Sequence, residues 1–358
     1  MIRISHLPFS ELGAAHFTAW SRIQSSDSTF DSPFFCPAYT EAVASVRDDI
    51  YVGILASQDR IVGVFPFQRG AKGGRAEAVG GDISQFHGVI VERGVPWNSD
   101  ELLAACDIKS WVFDHLPVTQ TPLLQQHHWV GESPFIDLSN GFAAYCAHNR
   151  KSGTAVEQAF RKMRKLEREV GTLRFALHDS SDEVFQALLA WKSEQHRRTN
   201  VVDAFQFEWL VNMLDQIRRI QSESFAGLMS ALYAGDQLVA VHYGMRSGTV
   251  AHSWYPAYDV AFGKYSPGLT LLLKMSEALA DTGIQRIDFA ARQQIYKTRF
   301  MSGAIPVARG VVDRSRLRAC VRRNADLLRE RVRETPLATP IRVPVRMLRR
   351  VGKWWAER

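Results

Sequence analysis

Two stretches of this chain read as the same object. From Asp48 to Gln68, DDIYVGILASQDRIVGVFPFQ sets two apolar runs about the polar turn Ser57-Gln58-Asp59-Arg60. From Phe225 to Arg246, FAGLMSALYAGDQLVAVHYGMR does the same about Gly235-Asp236. Short apolar runs joined by such a turn predict β-hairpins. The two align without a gap: Leu55 falls on Leu232, Asp59 on Asp236, Val62 on Val239, Val64 on Val241 and Arg69 on Arg246. An internal repeat restricts the chain to two copies of one α/β unit, each a mixed sheet flanked by helices. The copies are placed at 1–139 and 140–313, with 314–358 as a tail; 358 residues are enough for two cores of ordinary size.

The second copy is the more legible. Periodicity predicts a polar helix over Asn149–Val170, a strand over Thr172–His178, and helices over Asp182–Asn200 and Phe207–Gln221. After the hairpin come a strand at Thr249–Tyr255 and a loop at Pro256–Lys264. The stretch Tyr265–Lys297, YSPGLTLLLKMSEALADTGIQRIDFAARQQIYK, follows. Ser266 suits an N-cap, Pro267 the first helical turn, and Gly268 a close backbone approach by a ligand. Leu269, Leu272, Leu273, Ser276 and Leu279 recur at helical spacing, Asp281-Thr282-Gly283 stops the helix, and Ile284–Phe289 reads as a buried strand. A Gly-bearing turn entering a helix exposes backbone N–H groups to an anion such as a pyrophosphate or carboxylate. No such turn and helix are legible in the first copy, so one ligand site is expected, in the second.

Charge is unevenly placed. Of 44 basic and 37 acidic residues, 14 and 4 lie in 314–358, a local net of +10 that leaves the rest of the chain at −3. The overall net of +7 is therefore no nucleic-acid footprint on the folded body. Leu317, Val321, Asn324, Leu328 and Val332 fall at helical intervals among arginines, and the tail ends near Trp354-Trp355. That pattern makes it a basic amphipathic segment suited to an anionic membrane surface, or to packing on the acidic body. Cys36, Cys106, Cys146 and Cys320 are scattered without a CxxC pair, which indicates neither zinc nor a disulfide framework. The N-terminal MIRISHLPFSELG lacks a signal-peptide core and no run approaches a membrane span, so a cytoplasmic chain is expected, with the inner membrane surface open to the tail.

The order of helices, hairpin, strand, Gly turn, helix and strand is that of a GNAT-type N-acyltransferase fold. YSPG followed by a helix and IDFAARQQIYKTRF resembles the FemAB-like acyltransferases of the GNAT superfamily, in particular the CelD-type branch associated with cellulose and exopolysaccharide biosynthesis. AWKSEQHRRTN at Ala190–Asn200, SPFF at Ser32 and the hairpin end GVFPFQR are similar to that group as well. The resemblance spans roughly residues 30–312. It implies tandem GNAT-like domains and acyl transfer from a CoA thioester, acetyl-CoA in the simplest case, to an amine or hydroxyl of a sugar or polysaccharide precursor. Lys264, Tyr265, Ser266, Gly268, Leu269 and Thr270 would then face the donor. Members of the group usually show Gly-Asp-Glu before a Tyr-Lys pair. Here those positions read Arg292-Gln293-Gln294, and Asp288, Tyr296 and Lys297 are retained.

Thioester chemistry needs donors for the carbonyl oxygen, a base for the acceptor and an acid for the thiolate. Lys297 could stabilise developing negative charge, Tyr296 could protonate the thiolate, and Asp288 could orient Lys297 or bind substrate. His242, or His252 on the next strand, is the candidate base near neutral pH. Lys192 and His196 lie one helical turn apart and could meet an anionic acceptor; Tyr255 and Tyr258 could stack on a sugar. Each has a plainer reading as a core or surface residue. Two other functions fit the sequence: aminoacyl-tRNA-dependent peptidyl transfer of the FemAB type, against which stands the lack of a long helical arm, and a non-catalytic subunit of a polysaccharide synthesis complex, favoured by the missing carboxylates.

Overall fold

The structure, a computed structural model, describes residues 2–70, 74–289 and 295–315. In chain order these form β1 (Ile2–Pro8), α1 (Ala14–Ser25), α2 (Pro37–Ala44), β2 (Ile50–Ser57), β3 (Arg60–Arg69), β4 (Arg75–Glu77), β5 (Ile90–Val91), α3 (Ser99–Ala105) and β6 (Ser110–Pro117). They continue as β7 (His127–Asp137), α4 (Gly141–Ser152), α5 (Ala155–Glu169), β8 (Leu173–Ala176), α6 (Asp182–Arg198), α7 (Glu208–Arg219), β9 (Phe225–Ala234), β10 (Gln237–Ser247) and β11 (Val250–Tyr258). The last are α8 (Pro267–Ala280), β12 (Arg286–Asp288), α9 (Ile295–Phe300) and β13 (Gly303–Asp313).

One pattern of order and pairing occurs twice. β1 and β8 each lead through two helices to a hairpin, β2–β3 and β9–β10, turned at Gln58 and Gly235 in positive φ. β4 and β11 pair antiparallel with the second hairpin strand. Each is then joined through a helix, α3 or α8, to a parallel neighbour, β6 or β12. Parallel pairing demands such a crossover, and the helix entry then lies at the carboxyl end of the first strand. The two crossover helices differ in a way that matters. α3 has seven residues; Asn98 caps it by accepting from Asp100 and Glu101 N–H, and both of those residues are acidic. α8 has fourteen residues, no side-chain cap and no acid in its first turn. The first start thus carries two negative charges and the second none.

The described residues form two compact units, one drawn from 2–13, 49–130 and 308–315 and the other from 14–48 and 131–307. The first has its core about Phe65, Phe67, Trp111 and Phe113. In the second, alternation along β11 and β12 sends Ala251 and Ile287 into a core with Leu272, Leu273 and Met275 of α8 and Val156 and Ala159 of α5. The opposite face carries His252 and Asp288, which pair in register. There Tyr243 of β10 donates its hydroxyl to the Leu214 carbonyl of α7 at 2.6 Å, and Phe34 from 14–48 packs edge-on to His252 at 4.9 Å.

Several expectations change. The helix predicted over Asn149–Val170 is two, α4 and α5, because Gly153-Thr154 interrupts it. β11 runs on through Pro256 to Tyr258 where a loop was expected; its ladder with β12 ends at His252, and sheets tolerate proline on a strand with a free edge. β1 was not anticipated. Ser266 occupies the N-cap position of α8 but with φ 51°, ψ 56°, which turns its hydroxyl away from the helix. The tail beyond residue 315 and Arg292-Gln293-Gln294 lie outside the described residues.

Candidate functional site

The β11–β12 ladder has three pairs, Val250 with Arg286, Ala251 with Ile287 and His252 with Asp288. Beyond them β12 ends while β11 continues, still paired to β10, so the strands part. The register of β10 with β11 shifts between Tyr243 and Gly244, which face Tyr255 and Ser253 and leave Trp254 as an extra residue. A bulge of this kind re-aims side chains. Trp254 and Tyr255, adjacent in sequence, stack at 5.1 Å and 18° instead of pointing to opposite faces. Past the bulge Tyr258 lies against the entry to α8, where a Cβ on Gly268 would stand 3.6 Å from its ring.

That entry is the donor-side half of the site. Ser266 Oγ accepts from Lys162 of α5 at 2.7 Å, and Lys264, exposed, lies over the ring of Tyr265 at 4.7 Å. The Tyr265 hydroxyl donates to Glu169 at 3.0 Å, which pins the loop to α5. Of the residues expected to face a donor, Lys264, Ser266 and Gly268 are outward or half-buried. Tyr265 and Thr270 are buried, and the N–H groups of Leu269 and Thr270 turn back on Ser266 O at 3.0 and 3.4 Å. Tyr265 and Thr270 therefore shape the loop rather than offer side chains to a ligand. Two ammonium groups beside an uncapped helix start suit the phosphates of a nucleotide-bearing thioester.

The opposite face holds the groups with shifted proton affinity. Asp288, 1% exposed, accepts from Arg286 Nε at 2.9 Å with Oδ1, and its Oδ2 has no hydrogen-bond partner among the described residues. Burial, only partly offset by Arg286, pushes its carboxyl up to about 6. The same guanidinium grips Asp31 with both nitrogens, at 2.7 and 2.5 Å. Lys297, buried, donates to the Phe289 carbonyl and ties α9 to the end of β12. Tyr296 stands edge-on to Phe289 at 6.0 Å, and burial raises its phenol to about 12, so it keeps its proton.

His242 is a correction. It is 3% exposed, hydrogen-bonded to Ser253 Oγ at 2.9 Å, and burial lowers it to about 3. Strand alternation puts it with Ser253 on the α8 side, away from Asp288. A neutral imidazole of such low affinity is no base near pH 7.

The acceptor candidates do come together. Lys192 is 8% exposed, bonds Gln195 Oε1 at 2.9 Å, and is lowered to about 8 by desolvation. His196 meets Asp203 at 3.3 Å and stacks on Phe205, which stands edge-on to Tyr255. Gln195, Trp191 and Arg198 of α6 border a water-sized depression with Ala257, Tyr258 and Val260. Thus α6 brings Lys192 and His196 against the bulged end of β11, on the side away from α8 at Tyr255. Sequence reasoning missed Arg286 and Asp31, which hold Asp288; the one available signal was a charged residue two before Asp288 in a buried strand.

Among the described residues no group of three His, Cys, Asp or Glu could hold a metal ion, and no helix is long and apolar enough to cross a membrane. No curated protein matches the sequence. Solved structures with a similar fold include FemX, 10% identical with a TM-score of 0.58 over 86% of this chain and 96% of that one. A candidate lysylphosphatidylglycerol synthetase from Agrobacterium fabrum is similar through its C-terminal domain, at 11% identity and 0.54 over 90% and 98%. A conserved protein of unknown function from Bacteroides thetaiotaomicron is similar at 8% and 0.50 over 87% and 100%. At these identities the likeness is one of fold. Residues 155–298, the segment that carries α5 to α9, match the family model of an acetyltransferase (GNAT) domain, which makes this region a GNAT-type acyltransferase domain.

Proposed function

We propose that the chain transfers an acyl group, acetyl in the simplest case, from a CoA thioester to an amine or hydroxyl of an anionic sugar or polysaccharide precursor. The observation that carries this reading is the start of α8, without a side-chain cap and with Lys162 and Lys264 beside it, at the carboxyl end of β11 beyond the place where β11 and β12 part. The donor's phosphates would lie on the α8 entry and its thioester would reach into the parting of the strands, bringing a carbonyl carbon open to attack. Asp288 takes the proton from the acceptor as its nitrogen or oxygen bonds to that carbon. The carbon–sulfur bond breaks, and Tyr296 supplies a proton to the departing thiolate. Lys297 adds positive charge beside the reacting carbonyl. Lys192 would bind a carboxylate or phosphate of the acceptor, and Tyr255, Tyr258 and Trp191 supply faces on which a sugar can stack.

The basic tail is assigned to contact with an anionic membrane surface, which would hold the chain near a membrane-bound synthase. Titration calorimetry with acetyl-CoA and desulfo-CoA tests the donor half: saturable binding at one site per chain is expected, and no heat with any acyl-CoA refutes it. A thiol-release assay with glucosamine, glucosamine 6-phosphate and glucuronate then tests the acceptor half. Transfer from an aminoacyl-tRNA is the competing outcome, seen as saturable tRNA binding without CoA binding.

A further inference from the structure

The segment 14–48 belongs by order of elements to the first repeat, yet it packs in the second unit. It lies outside the matched stretch 155–298. What it delivers there is specific. The carboxylate of Asp31 makes two bonds to Arg286, whose third, through Nε, goes to Asp288. Asp31 is held in turn: its carbonyl accepts from Ser247 Oγ at 2.5 Å. Three residues on, Phe34 packs edge-on to both His252 and Trp254, at 4.9 and 5.4 Å. One short segment thus touches the partners of Asp288, the register neighbour of Asp288, and the bulge that aims Tyr255.

We propose that Asp31 is a positioning residue for acyl transfer: shared between two carboxylates, Arg286 fixes Asp288 Oδ1 and leaves Oδ2 to receive the acceptor's proton. This rests on the acyltransferase reading above. One guanidinium facing two carboxylates, the buried Asp288 and the half-buried Asp31, neutralises only one of them. Both are raised from the ordinary carboxylate value, by burial first, and the charge of Asp31 raises Asp288 further. The groups that face Asp288 are Arg286 on its own strand, His252 across the β11 ladder and Asp31 from 14–48; on β7 its register partner is the apolar Phe135. Without the charge of Asp31, Arg286 serves Asp288 alone, and Asp288 becomes a weaker base.

The test uses the full chain with Asp31→Asn and the charge-keeping Asp31→Glu. The neutral variant should move the acid limb of the kcat/KM profile down by about 0.5 pH unit or more. It should lower kcat about tenfold and leave KM for acetyl-CoA unchanged. Asp31→Glu should restore the wild-type limb. A limb unmoved by the neutral variant, or moved equally by Asp31→Glu, overturns the proposal. The carboxyl infrared band of Asp288, identified by its loss in Asp288→Asn, gives a readout independent of turnover. Its titration midpoint should fall in Asp31→Asn, with Asp31→Ser as a second neutral variant should the first not fold; an unchanged midpoint overturns the proposal. A wild-type chain that neither binds CoA nor transfers acyl groups refutes the function, and the infrared titration still decides the role of Asp31.

Discussion

Replacing Asp288 by Asn tests whether a reactive carboxylate is held in this sheet at the expense of stability. Burial raises the Asp288 carboxyl from 3.8 to about 6. A raised carboxyl is one whose native state keeps a proton the unfolded chain has lost, so its contribution to stability is full below 3.8 and vanishes as pH rises through 6. A shift of this size corresponds to about 3 kcal/mol over the whole range, and roughly half of it is lost between pH 5 and pH 7.5. Asn has the same shape, can still accept from Arg286 Nε, and does not titrate. Denaturant unfolding of both proteins at the two pH values should show the wild type losing about 1 kcal/mol or more relative to the variant. At pH 7.5 the variant should be at least as stable as the wild type while transfer activity falls by about a hundredfold or more, within the range expected for a lost general base. If the two proteins change in parallel with pH, Asp288 is not raised. If the variant is about 3–5 kcal/mol weaker at pH 7.5, Asp288 is an ordinary buried ion-pair partner.

Three further substitutions separate fold from function. Gly268→Ala has room for its Cβ, 3.6 Å from the Tyr258 ring, and alanine favours a helix; stability should hold or rise by up to about 1 kcal/mol while calorimetric CoA affinity drops about tenfold. Lys192→Met removes a desolvated ammonium lowered to about 8. At pH 7, where the lysine is still charged, the variant should unfold at higher denaturant, by up to about 3 kcal/mol, and its KM for a phosphorylated acceptor should rise about tenfold with KM for acetyl-CoA unchanged. In Gly227→Ala the new methyl would clash with the Ile217 carbonyl and stand 2.7 Å from Arg218 Cα, both backbone of α7; a loss of about 2 kcal/mol or more is expected in thermal unfolding.

What the sequence made legible is what local chemistry determines. The two hairpins are set by apolar runs about short turns, and Gln58 and Gly235 take the positive φ those turns require. The limits of α8 follow from Pro267 and from Gly283, which sits at φ 83° just past the helix. Periodicity failed where geometry breaks the period. Pro256 marks the end of a strand at Tyr255 and sends Tyr258 to a loop, whereas β11 carries on through it, and the bulge at Trp254 changes which face its side chains take. Lys192 and His196 were visible as a pair on one helix face, but the burial of Lys192 depends on strands some fifty residues away. His242 was chosen for its residue type, and nothing local told that α8 covers its side of the sheet. Asp31 carried no signal at all, since its partner lies 255 residues on.

The central claim is that a CoA thioester binds at the entry to α8, and amide hydrogen exchange with and without acetyl-CoA tests it most directly. Exchange should slow in Tyr258–Thr270 and in the middle of α5 around Lys162, with α3 of the first unit unchanged. Protection confined to the first unit, or no protection at saturating acetyl-CoA, would contradict the account.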